Sequence, residues 1–231
     1  MTLGSDPVVR CEDVARTYGA GHAAVVAVRD VNCEVRAGEG IAIVGPSGSG
    51  KSTLLHVMAG LDDPTTGMVS WPAFGDRAGL GPRQVGVVFQ GPSLLAPLDV
   101  EENVALPLLI GGADPASAAE AARVALARVG LEDVVHALPE ELSGGQAQRA
   151  AVARVLAARP RLILADEPTG QLDHVTAALV MDMLVATAAE TGAALVVSTH
   201  DVAVADRLPR RWRIADGKLT GVERREAPCS A

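Results

Sequence analysis

Aromatic residues make up only 2% of this chain: two tryptophans, two phenylalanines and a single tyrosine, Tyr18, among 231 residues. Its core must therefore be built from Val, Leu, Ala and Ile, and with 48% hydrophobic residues the chain is long enough to bury one of domain size. Cysteine is scarce too. Cys11, Cys33 and Cys229 are far apart, odd in number and without metal-ligand spacing, so neither a disulfide framework nor a zinc site is indicated and a reducing compartment fits best. No run approaches the ~18 to 20 apolar residues of a membrane span, and the opening MTLGSDPVVR has no basic start followed by an apolar stretch. Positive charge is in deficit: a net charge of -8 argues against a general nucleic-acid binder, whose footprint is a basic face.

What is present is a set of short, β-branched apolar runs: IAIVG at 41–45, VGVVF at 85–89, LILAD at 162–166 and ALVVST at 194–199. These predict buried strands. Between them, 51–60, 116–130, 146–159 and 175–190 have helical composition, and Gly60, Gly130 and Pro160 stop three of them. Alternating buried strands and helices predict an α/β fold, a mostly parallel sheet with right-handed crossovers. The first 35 residues are strand-like and turn-rich, as in an antiparallel β lobe packed on that core. Residues 91–158 carry no strand pattern and predict an inserted helical lobe, while 1–6 and 222–231 read as loose ends.

GPSGSGKS, spanning Gly45, Pro46, Ser47, Gly48, Ser49, Gly50, Lys51 and Ser52, fits G-x-x-x-x-G-K-[ST] without a mismatch, follows an apolar strand and opens a helix. Glycines let backbone N–H groups turn inward, the helix start suits a polyphosphate, Lys51 reaches the outer phosphates, and the Ser52 hydroxyl can ligate Mg²⁺ with Thr53 assisting. A lysine about 4 Å from a phosphate oxygen is worth on the order of 4 kcal/mol at an effective dielectric near 20, whereas distant carboxylates are screened beyond roughly 8 Å. The negative net charge therefore does not oppose nucleotide binding.

RLILAD delivers Asp166 to the carboxyl edge of the sheet, where ligands bind in open α/β sheets, and there it can orient the waters of Mg²⁺. Glu167 lies outside the strand and can polarise an attacking water as general base. Two adjacent buried acids are unfavourable unless a cation and a reacting water satisfy them. The same pair could also open a solvated turn, since Pro168 and Gly170 follow; the phosphate loop upstream favours the metal reading. LSGGQ at 142–146 is a second anion-binding loop. Ser143 and Gln146 have capping-box spacing, and Gly144 and Gly145 expose backbone donors at a helix start. Two phosphate-binding loops but one lysine loop point to two copies meeting around each nucleotide.

Taken together, these motifs resemble the ATP-binding cassette (ABC) ATPase family from about residue 8 to 221, within one domain at 1–221. The resemblance makes GPSGSGKS the Walker A loop, LSGGQ the signature loop and LILADE Walker B, and Gln90 of VVFQ the Q-loop glutamine that ligates Mg²⁺ and links the attacking water to the helical lobe. Asp173 of GQLD becomes the D-loop aspartate, His200 of STHD the switch histidine at the γ-phosphate, and Tyr18 of RTYG the aromatic that stacks on adenine. Each has a plainer reading: Gln90 and His200 could end strands, Tyr18 could be core packing and Asp173 could cap the helix after it. The resemblance further implies ATP and Mg²⁺ as cofactors, a head-to-tail homodimer with the signature loop acting in trans, and motion passed to separate transmembrane permease subunits. The cassette would then lie at the cytoplasmic face of the membrane.

ADEPTGQLD, GPSGSGKSTLLHVMAGLDDPTTG and VALPLLIGG look most like the lipoprotein-release and macrolide-efflux branch, whose members drive export, extraction or signalling across the membrane. In that setting Leu94, Leu95 and Leu98 are candidate permease contacts. Two features depart from the family pattern: 68–89 is short for the usual hairpin, and Gln171 stands where Asn or Ser is common. A regulatory cassette that clamps a division or cell-wall complex would use the same residues. A translation or DNA-repair cassette would usually bring paired cassettes, coiled coils or zinc cysteines, which are missing here.

Overall fold

The computed structural model describes residues 6–170 and 172–224, and they form two compact units, one comprising the residues up to Leu80 together with those from Ala194 on, the other Gly81–Ala193. The first unit holds two sheets. In one, β1 (Val9–Tyr18) lies between β2 (Val25–Val35) and β4 (Thr66–Ser70), antiparallel to both. Left-handed Asp13 and Asp30, with φ of 49° and 52°, mark breaks in the β1–β2 register, and Asn32 is tied to Asp13 across one of them. In the other sheet, β3 (Gly40–Val44) runs parallel to both β7 (Ala194–Thr199) and β8 (Arg210–Ala215), with β9 (Lys218–Arg224) antiparallel on β8. Ile41, Ala42 and Ile43 and all of β7 are buried, as expected of parallel strands covered on both faces.

In the second unit β5 (Val85–Val88) pairs in parallel with β6 (Leu162–Asp166), whose five residues are all buried. Helices α2 (Val100–Ile110), α3 (Pro115–Arg128) and α4 (Gly144–Ala158) pack on one another, and α5 (His174–Thr191) follows β6. A capping box of Asp99 and Glu102 starts α2, and fully buried Asn103 holds the turn before it, donating to the carbonyls of Leu95, Leu98 and Asp99 and accepting from Leu95 N–H. Of the expected permease contacts, Leu95 is exposed, and Leu94 and Leu98 are half-buried.

The four strands and four helices expected from composition form within one or two residues of their predicted ends. One expectation is corrected. Strand β9 runs to Arg224, so the first three residues of the expected 222–231 tail are sheet; the rest, like Cys229, lies outside the described residues. The second unit, Gly81–Ala193, contains the helical segment 91–158 together with β5, β6 and α5. Helix α4 ends at Ala158, and its C-cap Arg159 takes the left-handed conformation with φ 48° directly before Pro160, the stop expected from the sequence. Within 91–158 no strand forms among the described residues, and between β4 and β5 the chain makes a Trp71–Gly75 bridge, a tight turn at Arg77–Gly79 and another at 82–84, without a further strand.

Candidate functional site

The first unit carries the phosphate loop between β3 and α1 (Lys51–Met58). Two of its glycines are required by the chain's own packing. A Cβ on Gly45 would lie 2.2 Å from the Ile214 carbonyl oxygen, and one on Gly50, whose φ is 100°, would lie 2.2 Å from that of Ala27. The loop is thus pressed against β2 and β8, with Pro46, Ser47 and Gly48 exposed at its tip and Ser49 buried. Lys51, only 5% exposed, donates from Nζ to the carbonyl oxygens of Gly45 and Pro46, each at 3.0 Å. Its charge is held over the loop while the first-turn amides of α1, including those of Ser52 and Thr53, point toward the same end.

His200 follows β7, whose Thr199 is in register with Val44 of β3. His200 and Asp201 therefore line one cleft with Gly45 and Pro46, of about 390 Å³, together with Arg211 and Arg213. Asp201 caps the short helix α6 (Val202–Ala205) through Ala203 N–H, and its own N–H donates to Thr199 Oγ1, fixing the backbone on which His200 sits. At the exposed end of β1, Tyr18 donates its hydroxyl to Asp62 at 2.6 Å.

The second unit carries the acids. Asp166 ends β6 at 4% exposure, and Glu167 next to it is half-buried with φ 42°. A left-handed glutamate costs on the order of 1 to 2 kcal/mol, and such strain collects where a side chain must be aimed. Gly170 N–H donates to the Glu167 carbonyl oxygen at 3.1 Å and closes the turn. Val88 is the register partner of Ala165, so Gln90 and Glu167, each two residues further along, leave the same edge of the strand pair. A residue that sequence reasoning missed connects these exits: Gln148, 2% exposed on α4, donates from Nε2 to the carbonyl oxygens of Phe89 at 3.2 Å and Pro168 at 3.3 Å. A glutamine two residues beyond the signature loop on a helix of alanines was the available signal.

The signature loop forms the capping box read from its spacing, with Ser143 Oγ accepting from Gln146 N–H and Gln146 Oε1 from Ser143 N–H. Its glycines differ from those of the phosphate loop. A Cβ on Gly144 would meet nothing within 4 Å, one on Gly145 only Leu172 at an ordinary 3.7 Å, and neither has a left-handed φ. Asp173 caps α5, accepting from the N–H groups of Val175 and Thr176 and from the Thr176 hydroxyl; the bonds from Thr176 hold its pKa below the ordinary carboxylate value. Gln171 lies outside the described residues. In the second unit Gln90 and Asp166 offer an amide oxygen and a carboxylate, and in the first Ser52 offers a hydroxyl; each by itself is a hard oxygen donor of the kind that Mg²⁺ takes.

A family model described as ABC transporter matches residues 28–170. The chain belongs to the ABC transporter family. Within it, the cassette is 40% identical over 224 residues to the lipoprotein-releasing system ATP-binding protein LolD of Idiomarina loihiensis, covering 93% of this chain and 97% of that one. Its fold matches the ATP-binding cassette MJ0796, solved as a dimer in a post-hydrolysis state bound to ADP and Pi, with a TM-score of 0.87 and 36% identity over 95% of this chain and 99% of that one. It also matches cbiO1 from Clostridium perfringens, part of the cbiONQ transporter complex, with a TM-score of 0.79 and 26% identity over 95% and 89%. The chain is an ABC ATPase that binds and hydrolyses ATP. Among the described residues no helix is long and apolar enough to cross a membrane.

Proposed function

We propose that this cassette powers a separate membrane permease of the lipoprotein-release type, acting from the cytoplasmic face as a homodimer. The observation that carries this reading is the 40% identity to LolD over nearly the full length of both chains. In it, ATP lies with its phosphates on residues 45–53 and its base on Tyr18, and Mg²⁺ is held by Ser52 and Gln90 with Asp166 orienting its waters. Glu167 polarises the attacking water and His200 contacts the γ-phosphate. Ser143, Gly144, Gly145 and Gln146 reach the γ-phosphate of the ATP bound by the other copy, and Asp173 stands at the interface.

The signature glycines support the action in trans. Among the described residues nothing requires glycine at 144 or 145, which leaves the backbone there open to a group that approaches from outside. The experiment is to purify a tagged cassette from membranes with whatever it holds, reconstitute the complex in vesicles and follow ATP-dependent release of a lipidated protein. Release that needs both ATP and Glu167 supports the reading. ATP-dependent activation of a cell-wall hydrolase with no lipidated protein moved replaces it with a regulatory cassette.

A further inference from the structure

The single tyrosine of the chain is held by two other side chains. Asp62 Oδ2 accepts the Tyr18 hydroxyl at 2.6 Å, Asp62 Oδ1 lies 2.7 Å from Arg16 Nη2, and the Arg16 guanidinium carbon stands 4.6 Å from the centre of the Tyr18 ring. Arg16 and Tyr18 are two apart on β1, so they share one face of the strand. Register irregularities between Val14 and Tyr18 place the extra residues in β2, leaving β1 regular there. Arg16 Nε is buried without a hydrogen-bond partner, while the side chain as a whole stays 25% exposed. Burial by itself would raise the Asp62 pKa, but the Tyr18 hydroxyl and the Arg16 charge hold it below the ordinary carboxylate range.

Asp62 is itself anchored. The N–H groups of Leu61 and Asp62 both donate to the His56 carbonyl oxygen, closing the end of α1, the helix that begins with Lys51. From the other side, Thr65 N–H donates to Ala15 and Thr17 N–H to Thr65 Oγ1, which ties this turn to β1. The phosphate helix and the aromatic strand therefore meet at one carboxylate.

We propose that Asp62 is a positioning residue for the base of the nucleotide: with Arg16 it clamps one face and the hydroxyl of Tyr18, so that the opposite face is presented, already oriented, to adenine. This rests on the reading that Tyr18 stacks on the base. A ring locked before binding loses little rotational freedom on stacking, and a guanidinium on its far face extends the stack to cation, phenol and base.

The test is calorimetric binding to the full chain of ATP and, separately, inorganic tripolyphosphate, which has no base. Tyr18→Ala checks the underlying reading and is expected to weaken ATP roughly 5- to 100-fold while sparing tripolyphosphate. Tyr18→Phe keeps the ring and deletes only the bond to Asp62; Asp62→Ala deletes the clamp. Both are expected to weaken ATP several-fold and to leave tripolyphosphate unchanged. ATP affinity lost in Tyr18→Ala but retained in Tyr18→Phe and Asp62→Ala overturns the positioning role and keeps the stacking. Retention in all three overturns both. Equal weakening of ATP and tripolyphosphate in Asp62→Ala makes Asp62 a support of the phosphate helix and also overturns the proposal.

Discussion

Gln148 donates to the Phe89 carbonyl oxygen at 3.2 Å and, from the same nitrogen, to that of Pro168 at 3.3 Å. One buried amide thus joins the residue before Gln90 to the residue after Glu167, and it does so from the helix that begins at the signature loop. Replacing it with leucine withdraws a donor from two carbonyls, a loss of about 1 to 3 kcal/mol, and frees two loops that must be aligned. Gln148→Leu is expected to fold with reduced stability and to lower kcat about tenfold or more while ATP affinity stays near that of the native protein. Steady-state ATPase assays beside calorimetric binding separate the two effects.

The glycines of the two anion loops should respond to alanine in opposite ways. Gly50→Ala drives a methyl into the Ala27 carbonyl oxygen, at 2.2 Å, from a φ of 100°, so thermal unfolding is expected to shift down by several degrees or the protein to be recovered insoluble. Gly144→Ala meets nothing within 4 Å and is expected to melt as the native protein does while losing most of its ATPase activity. A Gly144→Ala protein that hydrolyses ATP normally would remove the argument that something from outside approaches this loop.

Asp173 makes a pH-dependent contribution. Hydrogen bonds from Thr176 and Val175 lower its pKa in the folded chain, so the stabilisation is fully present above the unfolded value of about 3.9 and is lost as pH falls through the lower folded value. Asp173→Ala is expected to melt a few degrees below the native protein at pH 7. The gap should begin to narrow as pH falls below about 4. Melting curves of both proteins from pH 3 to 7 give the answer, and a gap independent of pH would show that the cap does not act through its charge.

Much of this was legible in the sequence because it is local. Residues 162–166 and 194–199 are apolar on both faces and became the buried strands expected, and the Ser143–Gln146 capping box needs only a spacing of three. What escaped has a physical reason in each case. Strands β8 and β9 alternate arginine and lysine with apolar residues, which hides them from a search for apolar runs, although Asp216-Gly217 between them, with φ of 48° and 75°, is a strong hairpin signal. Helix α2 contains Pro107, so its apolar stretch read as interrupted. Gln148 and Asp62 act through partners distant in sequence, Phe89 at 59 residues and Tyr18 at 44, and a single chain of letters carries no record of such pairs.

The central claim is that two copies complete one ATP site, with Glu167 needed to reopen it. Its general-base contribution is on the order of 10²- to 10⁴-fold in rate, so Glu167→Gln with Mg²⁺ and ATP should trap the closed pair. Sedimentation of Glu167→Gln with and without ATP is the most direct measurement. The account predicts a species of twice the chain mass that forms only with ATP and disappears when Ser143→Arg is added. A species of single-chain mass in every condition, from a protein whose native form hydrolyses ATP at full rate, would contradict it.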